Sequence, residues 1–249
     1  MFPELFVILP ILAAVALGSY VQTITGFAFG LIFISAVTAF NLLDIATAAL
    51  MTCSLALVNT TVALRKRERH TLWRPVLTVI FFAVPGVLVG YYLLQFLGAS
   101  HIKYLKLTLS AVIVLASFLL LVPPKAGKGV SSLPVFAFFG VLGGLVGGLF
   151  GVNGPPLIFQ FYRQNLPVVV IRDCLLTIFA ILCAVRLVFV VAVDGMSPFV
   201  GIMILLAIPV TYTVTLLAKK FPPNMSDLTL RRGAALLLLF AAISISLQA

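Results

Sequence analysis

Apolar residues run through this chain in long stretches, at roughly 5–40, 42–64, 75–98, 102–122, 132–161, 166–193, 198–218 and 230–248, each at or beyond the length of a membrane span. Only short polar turns separate them, so no room is left for a soluble domain. Backbone groups surrounded by lipid must be satisfied within their own segment, and the pattern therefore predicts helices. A β-barrel would alternate apolar and polar positions, whereas these runs are continuous. The expected fold class is all-α, a polytopic helical membrane protein.

Two of the stretches, 5–40 and 132–161, are longer than a span needs and contain helix breakers. The first holds Gln22, Thr23, Thr25, Gly26 and Gly30; the second runs through six glycines to Asn153, Gly154, Pro155 and Pro156. Proline lacks an amide hydrogen and clashes with the preceding turn, so Asn153-Gly154-Pro155-Pro156 predicts a break. The same residues suit a new helix, with Asn153 as its cap and proline in its first turn. Thr25 is the matching candidate cap in the first stretch. Each new helix would aim unpaired N–H groups and a positive dipole end at the break, which suits an anion. The spacing of Gly143, Gly147 and Gly151 reads more simply as close helix packing.

Sliding the chain by 124 residues against itself superposes Gly30 on Gly154, Asn41-Leu42 on Asn165-Leu166 and Ala83-Val84-Pro85 on Ala207-Ile208-Pro209. This predicts two repeats, residues 1–122 and 131–249, joined by a turn-rich linker at 123–130. Each repeat has one broken segment followed by three spans. Pro85 and Pro209 occupy matched positions, as kinks or as hinges.

Charge decides how the broken segments lie. If all eight stretches cross, seven basic residues fall on one side and eight on the other. If the two broken stretches are re-entrant hairpins, thirteen fall on one side and only Lys103 and Lys106 on the other. The positive-inside rule selects the hairpins, with the basic side cytoplasmic. Matched loops in the two halves then exchange basicity, as inverted repeats require. Eight plain transmembrane helices are the alternative.

Composition sharpens this picture. The chain is 63% hydrophobic with a mean hydropathy of +1.26, outside the range of soluble domains. Its net charge of +10 is explained by loop topology, so no nucleic-acid partner is expected. Cys53, Cys174 and Cys183 sit in apolar stretches without a CxxC spacing, and His70 and His101 lie in loops on opposite sides. Neither a metal site nor a nucleophile–base pair is evident, and no cofactor or enzymatic activity is expected. Arg186, inside a span and eight residues before Asp194, is a candidate anion ligand, with snorkelling toward Asp194 as the bland reading. Arg163 and Arg172 suit either a mouth for the anion or plain topology. Topology is the simpler reading. The cluster from Arg65 to His70 reads as a cytoplasmic anchor against lipid headgroups.

The paired glycine-rich openings, Gly26 with Gly30 and the run from Gly140 to Gly154 with Pro155 and Pro156, resemble the TauE/SafE family of sulfite exporters. The resemblance implies a transporter of sulfite or organosulfonate anions in the bacterial inner membrane. The first motif departs from the family pattern, with Phe27 and Phe29 beside its glycines, which leaves the anion's identity open. The combined expectation is a secondary transporter working by alternating access. Gln22, Thr23, Thr25, Gly26, Gly30, Asn153, Gly154, Pro155 and Arg186 would line its site. Membrane lipid is the surrounding partner; a coupling ion (H+ or Na+) and a homo-oligomer stay open. An anion channel, a transporter of a different organic anion and a non-transporting subunit are the competing readings.

Overall fold

A computed structural model describes residues 5–65, 70–121, 129–221 and 227–248. The linker's residues 123–128 and the cluster's residues 66–69 lie outside them. The described residues form ten helices: α1 (Leu5–Thr25), α2 (Phe29–Ala39), α3 (Ile45–Leu64), α4 (Trp73–Ser100), α5 (Ile102–Leu121), α6 (Leu133–Phe150), α7 (Gly154–Tyr162), α8 (Val168–Asp194), α9 (Pro198–Lys220) and α10 (Asp227–Leu247). There is no strand among them. Seven helices are long and apolar enough to cross a membrane. Phe81, Leu205 and Phe240 stand exposed on the outside, as lipid in place of water allows.

Both broken stretches are broken where the sequence places them. Eight plain helices do not form: α1 ends at Thr25 and α2 begins at Phe29, while α6 ends at Phe150 and α7 begins at Gly154. Each short helix folds back along its partner. A side chain at Gly18 would meet Phe29, one at Gly143 would meet Leu157, and one at Gly147 would meet Asn153. The first arm is longer than a half-depth hairpin needs, since the 21 residues of α1 span about 31 Å. Its partner α2, with 11 residues, covers only about 16 Å.

Shifted by 124 positions, α1 to α5 fall on α6 to α10 within a few residues at most boundaries. The packing respects the same exchange. α3 packs on α8 and α5 on α10, while α4–α6 corresponds to α9–α1 and α2–α10 to α7–α5. This is compatible with two inverted repeats.

Hydrogen bonds sort the helix ends. At one end Lys219 Nζ donates to the carbonyl of Arg65 at 2.9 Å, His70 N to Asp173 Oδ2 at 3.2 Å, and Ser131 N to Gln164 Oε1 at 2.7 Å. At the other, Gln95 Nε2 donates to Asp194 Oδ2 at 2.9 Å, and Gln248 Nε2 to the carbonyl of Ala39 at 2.8 Å. The described basic residues Arg65, Arg74, Arg163 and Arg172 thus gather at one end. Lys106, 3.3 Å from the carbonyl of Gln248, lies at the opposite one. The open side of the α1–α2 hairpin shares the end of Gln248, and that of α6–α7 the end of Ser131.

Candidate functional site

The two breaks meet inside the bundle. A side chain at Gly30 would lie 2.9 Å from both Thr52 and Val152, so the tips touch and only glycine fits between them. Around this contact lies a cavity of about 30 Å³, lined by Gln22, Ala28, Gly30 and Leu31 from the first tip and by Gly151, Val152, Asn153 and Gly154 from the second. α3 adds Thr52 and Ala56, and α8 adds Phe179 and Cys183.

The backbone at both tips is unusual. Gly26 (φ 85°) and Gly151 (φ 69°) take left-handed conformations, and so does Ala28 (φ 88°), where a side chain makes that costly. Gly26 is doubly constrained, because a side chain there would come 2.2 Å from the Cγ of Arg172. Among the described residues the amides of Gly30, Leu31, Val152, Asn153 and Gly154 donate no hydrogen bond. Pro155 and Pro156 occupy the first turn of α7 and carry no amide hydrogen, so the second tip offers fewer donors than an ordinary helix start.

Side chains add to this set and correct part of the sequence reading. Thr52 Oγ1 and Asn153 Oδ1 are buried without a partner. Asn153 stands at the cap position of α7 but makes no capping bond; its side chain fills the space over Gly147 instead. Thr25 does not cap α2. Its hydroxyl lies 2.8 Å from the carbonyl of Val21 and 2.7 Å from that of Phe27, closing the end of α1. The capping role falls to Gln22, whose Oε1 accepts from Phe29 N at 3.1 Å while its Nε2 donates to Thr60 Oγ1 at 3.1 Å. Gln22 therefore ties both arms of the hairpin to α3. Thr23 lies away from the cavity, where its hydroxyl accepts from Asn59 Nδ2 at 3.0 Å.

Arg186 is 2% exposed and does not snorkel to Asp194, which is held by Gln95. Its Nε donates to the carbonyl of Gly148 at 3.1 Å, in the last turn of α6, and one terminal nitrogen lies 3.8 Å from Cys53 Sγ. A cation at a helix C-terminus satisfies carbonyls that the helix leaves unpaired. The guanidinium thus braces the second tip, one turn from Cys183 in the cavity wall. Near the other end of the same helix, Arg172 Nη1 donates to the carbonyl of Ile24 at 3.3 Å. Ile24 and Gly148 are matched positions of the repeat, so one arginine of α8 holds each hairpin at its equivalent carbonyl.

Of the residues expected from sequence, Gln22, Gly30, Asn153 and Gly154 line the cavity; Thr23, Thr25, Gly26, Pro155 and Arg186 do not. Thr52, Phe179 and Cys183 were not foreseen, since nothing in an ordinary span marks the residue that faces a tip.

The family model for the sulfite exporter TauE/SafE matches residues 11–245. The chain belongs to the TauE/SafE family. A relative from Cupriavidus necator, described as a probable sulfite/organosulfonate exporter TauE, is 36% identical over 245 residues, covering 97% of this chain and 96% of the relative. No solved structure matches. TauE/SafE proteins are transporters rather than enzymes, and this chain is accordingly a multi-pass integral protein of the bacterial plasma membrane.

Proposed function

We propose that this protein exports sulfite or an organosulfonate, held between the two hairpin tips and released by alternating access. One observation carries the reading: a cavity where two helix starts converge with unpaired amides, beside the unpartnered Thr52 hydroxyl and the side chain of Asn153, whose Nδ2 can donate. Preformed N–H donors and two dipole ends suit an oxyanion, and exclusion of water strengthens each interaction. Arg186 adds positive charge behind the second tip. The relative's description names the same class of substrate. A space of about 30 Å³ admits little more than a water molecule. Seating an anion therefore requires the tips to part, which is the movement that alternating access supplies. The basic end, cytoplasmic by the positive-inside rule, is where an exporter loads.

The reading is tested on purified protein in liposomes with labelled sulfite and small sulfonates. Saturable, concentrative flux separates a transporter from a channel, and imposed proton or sodium gradients identify the coupling ion. The double variant Thr52→Val, Asn153→Leu is expected to weaken substrate binding at least about tenfold, as loss of two buried hydrogen bonds to a charged ligand would. Unchanged binding in that variant overturns the central site.

A further inference from the structure

A second cavity, of about 240 Å³, opens at the basic end between the ends of α1, α3 and α9 and the start of α8. It is lined by Thr23, Ile24, Ala63, Ala218 and two cations, Arg172 and Lys219. Lys219 is held in place by carbonyls at the end of α3 and just beyond it, those of Val62 at 3.1 Å, Ala63 at 3.2 Å and Arg65 at 2.9 Å. Arg172 packs against Gly26, and its Nε is buried with no hydrogen-bond partner. The space is several times larger than the central cavity and exceeds the share of several waters, so a small oxyanion fits here with no movement of the chain.

From this cavity a polar seam leads inward. Asn59, fully buried, places its Nδ2 3.1 Å from the carbonyl of Ser19, 3.0 Å from Thr23 Oγ1 and 2.7 Å from Thr215 Oγ1, joining α1, α3 and α9. Beside it Thr60 meets Gln22, which lines the central cavity. Ser19 Oγ, Asn59 Oδ1 and Thr211 Oγ1 are buried here with no partner. Orphaned polar groups are costly in a closed apolar interior, and three of them in this seam would be satisfied by water or a ligand passing through it.

We propose that Arg172 and Lys219 form a vestibular site for the sulfite or sulfonate oxyanion, and that the α1–α3–α9 seam around Asn59 conducts it to the tips. The inference rests on the export reading for its direction. The opposite end has no equivalent: the repeat puts Ala48 and Gln95 where Arg172 and Lys219 stand, and the cavity there is lined by Asp44 and Gln95. Cations at the loading end and a carboxylate at the other favour capture on one side and release on the other.

The test uses the full-length chain in inside-out vesicles with Ile24→Cys, a half-buried vestibule position. Its rates of modification by a sulfonatoethyl and by a trimethylammonium-ethyl thiosulfonate reagent are compared, after subtracting the chain with its native cysteines alone. The anionic reagent is expected to react at least about tenfold faster than the cationic one, within the range of electrostatic steering. Arg172→Gln and Lys219→Gln are each expected to reduce that preference about threefold, and together to erase it. Arg172→Lys should retain it. Equal rates in the parent, or a preference that survives both neutral substitutions, overturns the vestibule. The Thr52→Val, Asn153→Leu pair should leave the preference intact. A retained preference with unaltered sulfite binding in that pair therefore sinks the central site alone.

Discussion

Two seams between helices occupy matched positions in the repeat and are built from opposite materials. Where α6 passes α4, glycine is obligatory. A side chain at Gly144 would sit 2.1 Å from the carbonyl of Ala83, one at Gly148 2.2 Å from that of Val87, and one at Gly90 2.2 Å from that of Leu145. The helices touch backbone to backbone, and nothing between them invites water. At the corresponding positions of α1 and α9 stand Tyr20 for Gly144, Ile24 for Gly148 and Val214 for Gly90. These helices pack less closely, and between them lie Thr211, Thr215 and the side-chain amide of Asn59. Repetition of a fold thus does not repeat its mechanics: one seam is a dry weld, the other a polar joint that ends in a cationic mouth.

Three changes break or sharpen this contrast. The largest effect belongs to Gly144→Leu, which has no space to enter. Overpacking of this kind costs about 3 kcal/mol or more, and the variant should lose most of its monodisperse yield in detergent. The matched change Tyr20→Leu should cost about 1 kcal/mol, read as a small fall in thermal midpoint. Equal losses at the two positions would erase the distinction between the seams. Arg186→Gln comes next. Loss of the charged bond to the carbonyl of Gly148 should lower stability by about 1.5–3 kcal/mol. Transport should fall with it, and Arg186→Lys should restore part of both. Wild-type transport in Arg186→Gln would show that the second tip needs no brace. Last comes Asn59→Ala, which severs the contacts among α1, α3 and α9. It should cost about 1–2 kcal/mol and speed modification of Ile24→Cys by an uncharged alkyl thiosulfonate reagent. Slower modification would mean that Asn59 props the joint open.

The hairpins were legible because their signal is local. Asn153-Gly154-Pro155-Pro156 cannot continue a helix, and the 124-residue shift carried the same break back to Gly30. The grouping of basic loops was legible too, since lipid makes charge a topological label. Partners were not. Thr25 is the short-range candidate to cap α2, and only the geometry of the turn, with Ala28 left-handed, hands the task to Gln22. Arg186 was conspicuous as a buried cation, but a span's sequence says nothing of which carbonyl lies across from it. Asn59-Thr60-Thr61 is a polar interruption in an apolar stretch that carries no signal of its own, because a threonine in a helix can bond back to its own turn. Its meaning came only from α1 and α9.

The two arginines of α8 are separated by 14 positions, about 21 Å along one continuous helix. Each grips the hairpin that faces it, so a single rod spaces both tips. On the vestibule proposed above, an oxyanion arriving at Arg172 would compete with the carbonyl of Ile24 for the same guanidinium, while Arg186, 2% exposed, would stay out of its reach. Cargo bound there would unfasten one clasp of the rod and leave the other shut.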